Sequence, residues 1–75
     1  MQTSFKDMAT RAANAEANFV EILMNVAGIT EAEAEKVMNL YLKEKLAKLD
    51  YVNGNIRVKD GFLLDVDVIH NAAAL

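Results

Sequence analysis

The feature that most constrains this chain is a stripe of apolar residues near its start, in which gaps of three and four residues alternate. The members of this apolar stripe are Phe5, Met8, Ala12, Ala15, Phe19, Ile22 and Val26. Such spacing places all of them on one side of an α-helix, as in the seam of a coiled coil. A second apolar row, made up of Ala9, Ala13, Val20, Leu23 and Ala27, widens that side. The pattern predicts a helix over residues 5–27, which Gly28 ends in a left-handed conformation.

The chain is too short to bury all of this surface by itself. Its 75 residues form at most one domain, 1–75, with a small core. It has no cysteine and one histidine, so neither disulfides nor a zinc site can compensate, and oligomerisation is left. We therefore expect a homodimer with the apolar stripe as its dimer or partner interface. The alternative is that the stripe is the inner face of a monomer.

A second helix is predicted over residues 31–48. Thr30 and Glu33 have the spacing of a capping box, in which each side chain accepts a hydrogen bond from the other residue's backbone amide. Glutamates follow at the positive end of this helix, and lysines lie near its negative end. The apolar positions share one broad face, and Lys36 and Lys43 lie opposite.

A β-hairpin over residues 50–59 is predicted next. Asn53-Gly54 is the preferred pair for a two-residue type I′ turn, because both positions need a positive φ. The strand partners would then be Val52 with Asn55, Tyr51 with Ile56, Asp50 with Arg57 and Leu49 with Val58. This register puts the large apolar side chains on one face, against the two helices, and pairs opposite charges across the strands.

The tail after Gly61 fits two structures. Leu64, Val66 and Val68 alternate with aspartates, as in a strand. Asp65 could equally cap a helix that runs into the alanines at the end of the chain. We favour a helix over residues 65–74 and leave open whether residues 62–69 form a strand. The predicted fold is α+β and mostly helical, in the order helix, helix, β-hairpin and short helix.

No pattern in the sequence points to catalysis, a metal or a cofactor. Ser4 lacks the partners of a nucleophile, and His70 with Asp67 is more typical of a surface than of an active site. The aspartates at positions 60, 65 and 67 lack the glycine and glutamate of a calcium loop. No apolar run is long enough to span a bilayer. We expect a cytoplasmic, non-enzymatic protein that binds no cofactor, small-molecule substrate or membrane.

The charge pattern adds one further hypothesis. The net charge is −3, yet six of the eight basic residues lie between positions 36 and 59. Four of them are candidate phosphate contacts for DNA: Lys36, Lys43, Arg57 and Lys59. The alternative is that they form the solvated face and the dipole complement of a well-built helix.

Two resemblances bear on function. The capped helix, its lysine-rich end and the hairpin, Thr30 to Lys59, resemble the last helix and wing of winged helix-turn-helix domains. The stretch EAEKVMNLYLKEKLAKLDYVNGNIRVKDGFLLD is similar in style to small uncharacterised phage and prophage proteins. The second resemblance implies a phage-type protein of a bacterial host, and we expect it to bind and modulate a host protein as a dimer. The first resemblance implies the alternative, a winged-helix-like DNA-binding transcription regulator.

Overall fold

The computed structural model describes residues 5–75, with side chains from Asp7 onward. Its elements are α1 (Phe5–Ala27), α2 (Glu31–Lys43), β1 (Ala47–Asp50), β2 (Asn55–Val58), a 3₁₀ helix (Gly61–Leu64) and α3 (Val66–Ala73). The predicted α+β order of helix, helix, hairpin and short helix is confirmed.

The core lies where the three α-helices meet. Its largest fully buried side chains come from all three: Leu23 from α1, Val37 and Tyr41 from α2, and Ile69 from α3. We call these four residues the three-helix interior. The Tyr41 hydroxyl donates a hydrogen bond of 2.8 Å to the Leu63 carbonyl, which ties α2 to the 3₁₀ helix. Among the described residues, no buried side-chain nitrogen or oxygen lacks a hydrogen-bond partner.

The end of α1 and the start of α2 form as predicted. Gly28 has φ +65°, and its amide donates to the Met24 carbonyl at 2.8 Å. The Thr30 hydroxyl accepts from the Glu33 amide at 3.2 Å, and the Glu33 carboxylate accepts from the Thr30 amide at 3.1 Å. The bond from the Thr30 amide, together with one of 3.0 Å that the Thr30 hydroxyl donates to the same carboxylate, lowers the pKa of Glu33. Local hydrogen bonds thus fix the end of α1 and the start of α2. The connection between the two helices is short, so they pack as neighbours.

The predicted end of α2 is wrong: the helix stops at Lys43, not at residue 48. Lys45 takes a left-handed φ of 59°. Its amide donates to the Leu42 carbonyl at 3.2 Å, and the Leu46 amide donates to the Tyr41 carbonyl at 2.8 Å. This pair of bonds is a Schellman motif with lysine where glycine is usual. It reverses the chain, so that β1 begins at Ala47.

The predicted turn and strand register of the hairpin are also wrong. The strand partners are Ala47 with Val58, Lys48 with Arg57, Leu49 with Ile56, and Asp50 with Asn55. The loop therefore has four residues, 51–54. A type I′ turn needs a positive φ at Asn53, but Lys45 is the one residue besides glycine with a positive φ in the described chain, so the turn is not type I′. The shift equals two residues, so the apolar residues keep their predicted face. Asp50 and Arg57 still form an ion pair, at 3.9 Å on a diagonal.

Asp50 explains the longer loop. Its carboxylate accepts from the Val52 amide at 3.0 Å, the Asn53 amide at 3.2 Å and the Asn53 side-chain amide at 2.7 Å. The loop closes with a bond of 2.8 Å from the Gly54 amide to the Asp50 carbonyl. Such local acceptors compete with strand pairing and hold the chain in a turn.

The tail is helical, which confirms the favoured prediction over the strand. Asp60 accepts from the Phe62 amide at 3.3 Å and starts the 3₁₀ helix, an element that the sequence did not predict. Asp65 stands at the N-terminus of α3. At the other end of α3, the Lys36 ammonium donates to the Ala73 carbonyl at 3.2 Å.

Candidate interaction surfaces

The apolar stripe of α1 is divided between the interior and the surface. Ala15 and Phe19 are buried within the subunit, and Met8 and Ala12 are half-buried. Ile22 is 45% exposed and Val26 is 41% exposed. The Phe5 side chain lies outside the described residues. The predicted interface can therefore draw only on the accessible members of the stripe in this conformation.

The second apolar row explains this division. Val20, Leu23 and Ala27 are all buried, although the sequence favoured the stripe as the main apolar surface. The buried side of α1 thus lies between the two rows, because α2, α3 and the hairpin strand β2 pack from that direction. Ile22 and Val26, one turn apart, are left partly exposed at the edge of this buried side. We call this pair the α1 ridge.

The four predicted phosphate contacts do not form one patch. Lys36 reaches toward α3, as described above, and Lys43 is the last residue of α2. Arg57 and Lys59 belong to the hairpin and its exit, and both are exposed. Position 57 is paired with Lys48, so these two cations lie on the same face of the hairpin.

The hairpin carries a basic surface that the sequence predicted only in part. Lys45, Lys48, Arg57 and Lys59 line an open groove of about 600 Å³, and we call these four residues the basic hairpin face. The predicted set lacks Lys45, because a helix over residues 31–48 would contain it. The predicted helix over residues 31–48 includes Lys48, whereas the observed register brings it opposite Arg57 in the hairpin. Asp50 offsets part of this positive charge through its ion pair with Arg57.

A second groove lies between α1 and α2, with a volume of about 540 Å³. Its lining residues are Ala13, Glu16, Ala17, Val20, Glu21 and Met24 from α1 and Glu31, Glu35, Met38 and Asn39 from α2. We call it the α1–α2 groove. It combines an apolar floor with four carboxylates, and none of these lining residues is lysine or arginine. The sequence analysis missed it, because the contact between two helices brings together residues that are far apart in the chain.

Among the described residues, those that the sequence analysis weighed for chemistry lie on the surface or serve as caps. None of their His, Cys, Asp and Glu side chains form a group of three that could hold a metal ion. His70 is exposed on α3, and Asp60 is used as a cap. In the described part of the chain, no helix has both the length and the apolar character needed to cross a membrane.

No known protein family, curated protein or solved structure matches this chain. The phage origin and the winged-helix resemblance stay predictions. Function is therefore inferred from the three surfaces described above: the α1 ridge, the basic hairpin face and the α1–α2 groove.

Proposed function

We propose that this chain is a small non-enzymatic interaction protein, which pairs with a second copy of itself and binds and modulates a host protein. The α1 ridge is the observation that carries this proposal. Ile22 and Val26 stay more than 40% exposed, whereas Leu23 beside them is fully buried. Single exposed apolar residues are common on protein surfaces. Two β-branched residues at helical spacing, continuing a longer apolar stripe, are more typical of a surface that another chain covers.

The surroundings of the ridge favour its burial. Asn18 precedes Ile22 by one turn, and Asn25 adjoins Val26 in sequence. Both are exposed and neutral, so covering these two positions would not take a charged group out of water. A second copy would also add buried apolar area to a chain whose own core is small. Pairing through α1 would therefore bury apolar surface without the cost of desolvating a charge at these two neutral positions.

Sedimentation equilibrium over a range of concentrations tests the pairing. We expect the wild-type chain to be a dimer and Ile22→Glu to be a folded monomer, because an exposed side chain can change without disturbing the interior. Asn71→Glu, which adds the same charge at an exposed position of α3, is the matched control and should remain dimeric. A wild-type chain that stays monomeric at millimolar concentration would overturn the pairing.

A DNA-binding regulator is the second candidate, and the basic hairpin face favours it. Lys48 and Arg57 are held directly opposite each other, although like charges at such positions are destabilising. Lys45 and Lys59 line the same open groove, so four cations are available to phosphates. This differs from the predicted set, since Lys36 bonds to the end of α3 instead.

The salt dependence of duplex DNA binding separates the two candidates. Each phosphate contact contributes about −0.9 to the slope of log affinity against log salt. Replacing Lys48 and Arg57 by alanine should therefore make the slope shallower by about 1.8. Lys36→Ala is the control and should leave the slope unchanged. If the wild-type chain shows no gel shift at low salt, the DNA-binding regulator is excluded.

A further inference from the structure

The α1–α2 groove has the shape of a site for one additional helix. Its α1 wall runs from Ala13 to Met24, a length of about 16 Å or three helical turns. The side chains of Ala13 and Ala17 are small, so another backbone can approach this part of α1 closely. A third helix commonly packs in the furrow between two neighbouring helices, at axis distances of about 8–10 Å.

The floor of the groove is apolar and adaptable. Val20 and Met38 are buried, and Met24 is half-buried between them and solvent. Methionine side chains are flexible and polarisable, and therefore adjust to apolar side chains of different shape. Apolar residues spaced three and four apart on a partner helix would lie on this floor.

The rim of the groove is acidic on both sides. Glu16 and Glu21 belong to α1, and Glu31 and Glu35 belong to α2. All four are exposed. Glu33, which serves the capping box, is not among the lining residues, so the rim carboxylates are separate from that structural role. An occupant with lysine or arginine beside its apolar stripe would match this arrangement in charge.

We propose that the α1–α2 groove binds a basic amphipathic helix of the partner protein. The apolar stripe of that helix lies on Met24 and Met38, and its cations face the glutamates of the two walls. This rests on the proposed function, because it names the chemistry of the partner that the interaction protein would bind. It is independent of the α1 ridge, which lies elsewhere on α1 and serves pairing with a second copy.

A fluorescein-labelled synthetic peptide of 14 leucines and lysines, with leucine at helical spacing, serves as the test ligand. Fluorescence anisotropy should show binding that weakens as salt is added. A peptide of the same composition in scrambled order has equal charge but no apolar stripe, and should bind much more weakly. Amide signals of residues 13–24 and 31–39 should shift most in NMR spectra of the wild-type complex.

Charge-neutralising variants locate the binding. Glu16→Gln with Glu35→Gln removes one carboxylate from each wall and should weaken binding roughly tenfold. Glu44→Gln with Asp67→Asn changes the net charge equally at exposed positions outside the groove, and should change the affinity less than twofold. Circular dichroism should show that both double variants are folded.

The outcomes separate this proposal from the pairing through α1. Equal losses in the two double variants, or equal binding of the scrambled peptide, would overturn the groove as a specific site. Binding that is lost in Ile22→Glu but kept in the groove variant would also overturn it and would assign the peptide to the ridge. Groove-dependent binding to a chain that remains monomeric would support the groove while contradicting the pairing.

Discussion

The region where the three helices meet and the region where α2 turns into the hairpin are stabilised in different ways. In the three-helix interior, the largest side chains are fully buried and pack against one another across three helices. In residues 44–59, which we call the hairpin junction, Ala47 alone is buried. Three further apolar side chains are half-buried against the core: Leu46, Ile56 and Val58. The conformation of the hairpin junction also depends on backbone hydrogen bonds, a left-handed lysine and the carboxylate of Asp50.

This contrast separates two ways in which a residue can matter. In the interior, a side chain contributes through its volume and the apolar area that it removes from water. In the hairpin junction, a residue contributes through the backbone conformation that it permits or the local hydrogen bonds that it accepts. Substitutions should therefore have large effects in the interior, and small effects, sometimes stabilising ones, in the junction.

Leu23→Ala should give the largest effect. The substitution leaves a cavity among α1, α2 and α3, and such changes cost about 3 kcal/mol or more. That is a large share of the roughly 4–11 kcal/mol expected for a chain of this length. Urea denaturation followed by circular dichroism measures the loss of unfolding free energy.

Ile22→Ala is the matched control, because Ile22 is the neighbour of Leu23 in sequence but is 45% exposed, whereas Leu23 is fully buried. Its cost should be below about 1 kcal/mol when both variants are measured at a concentration too low for pairing. Similar losses of unfolding free energy in the two variants would mean that the exposed and the buried positions of α1 do not differ in their contribution to stability.

Tyr41→Phe should have the next largest effect. The phenyl ring keeps its packing, but the Leu63 carbonyl loses its donor, which costs about 1–2 kcal/mol. Burial raises the pKa of Tyr41 above its usual value. The unfolded chain therefore loses this proton first as pH rises, and wild-type stability should fall above about pH 10. In Tyr41→Phe this contribution to the alkaline loss should be absent, so the unfolding free energies of wild type and variant should converge as the pH rises. A difference that stays constant with pH would contradict the role of the hydroxyl.

The same contrast explains what could be predicted from the sequence. The capping box at Thr30 and the glycine at position 28 each act within one helical turn, so local sequence was sufficient to place them. The end of α2 was predicted five residues too late, because a lysine at position 45 gives no glycine-like signal. The hairpin turn was misassigned because Asn53-Gly54 suggested one loop while Asp50 stabilises a longer one.

The candidate site was less predictable than the fold. The apolar stripe identified α1 as an amphipathic helix, but the rotation of this helix depends on where α2, α3 and β2 pack, which the spacing of one helix does not specify. Arg57 and Lys59 were predicted as part of a basic surface, whereas Lys45 and Lys48 depended on the true helix end and strand register. The α1–α2 groove depends wholly on the packing of two helices.

Lys45→Gly tests the hairpin junction directly and should be stabilising. A left-handed conformation is costly for lysine and not for glycine, whereas glycine is more flexible in the unfolded chain. The balance should be a gain of about 0.5–1 kcal/mol in unfolding free energy. Lys43→Gly, within the last turn of α2, should instead lose about 1 kcal/mol. A loss in both variants would mean that the backbone at position 45 does not limit stability.

The smallest expected effect is the acid dependence contributed by Asp50. Hydrogen bonds from Asn53, first from its side chain, together with the Val52 amide and the nearby Arg57, lower the pKa of this carboxyl. The ionised form is therefore favoured by folding, so its contribution is complete above about pH 4 and is lost as pH falls through the lower, folded value. Asp50→Asn lacks this contribution, so wild type and variant should differ at neutral pH and converge in acid. Glu33, whose pKa is also lowered, is present in both chains and cancels in the comparison. If the difference in midpoint urea concentration stayed constant from pH 6 to about pH 2, the loop would depend on the shape of the Asp50 side chain and not on its charge.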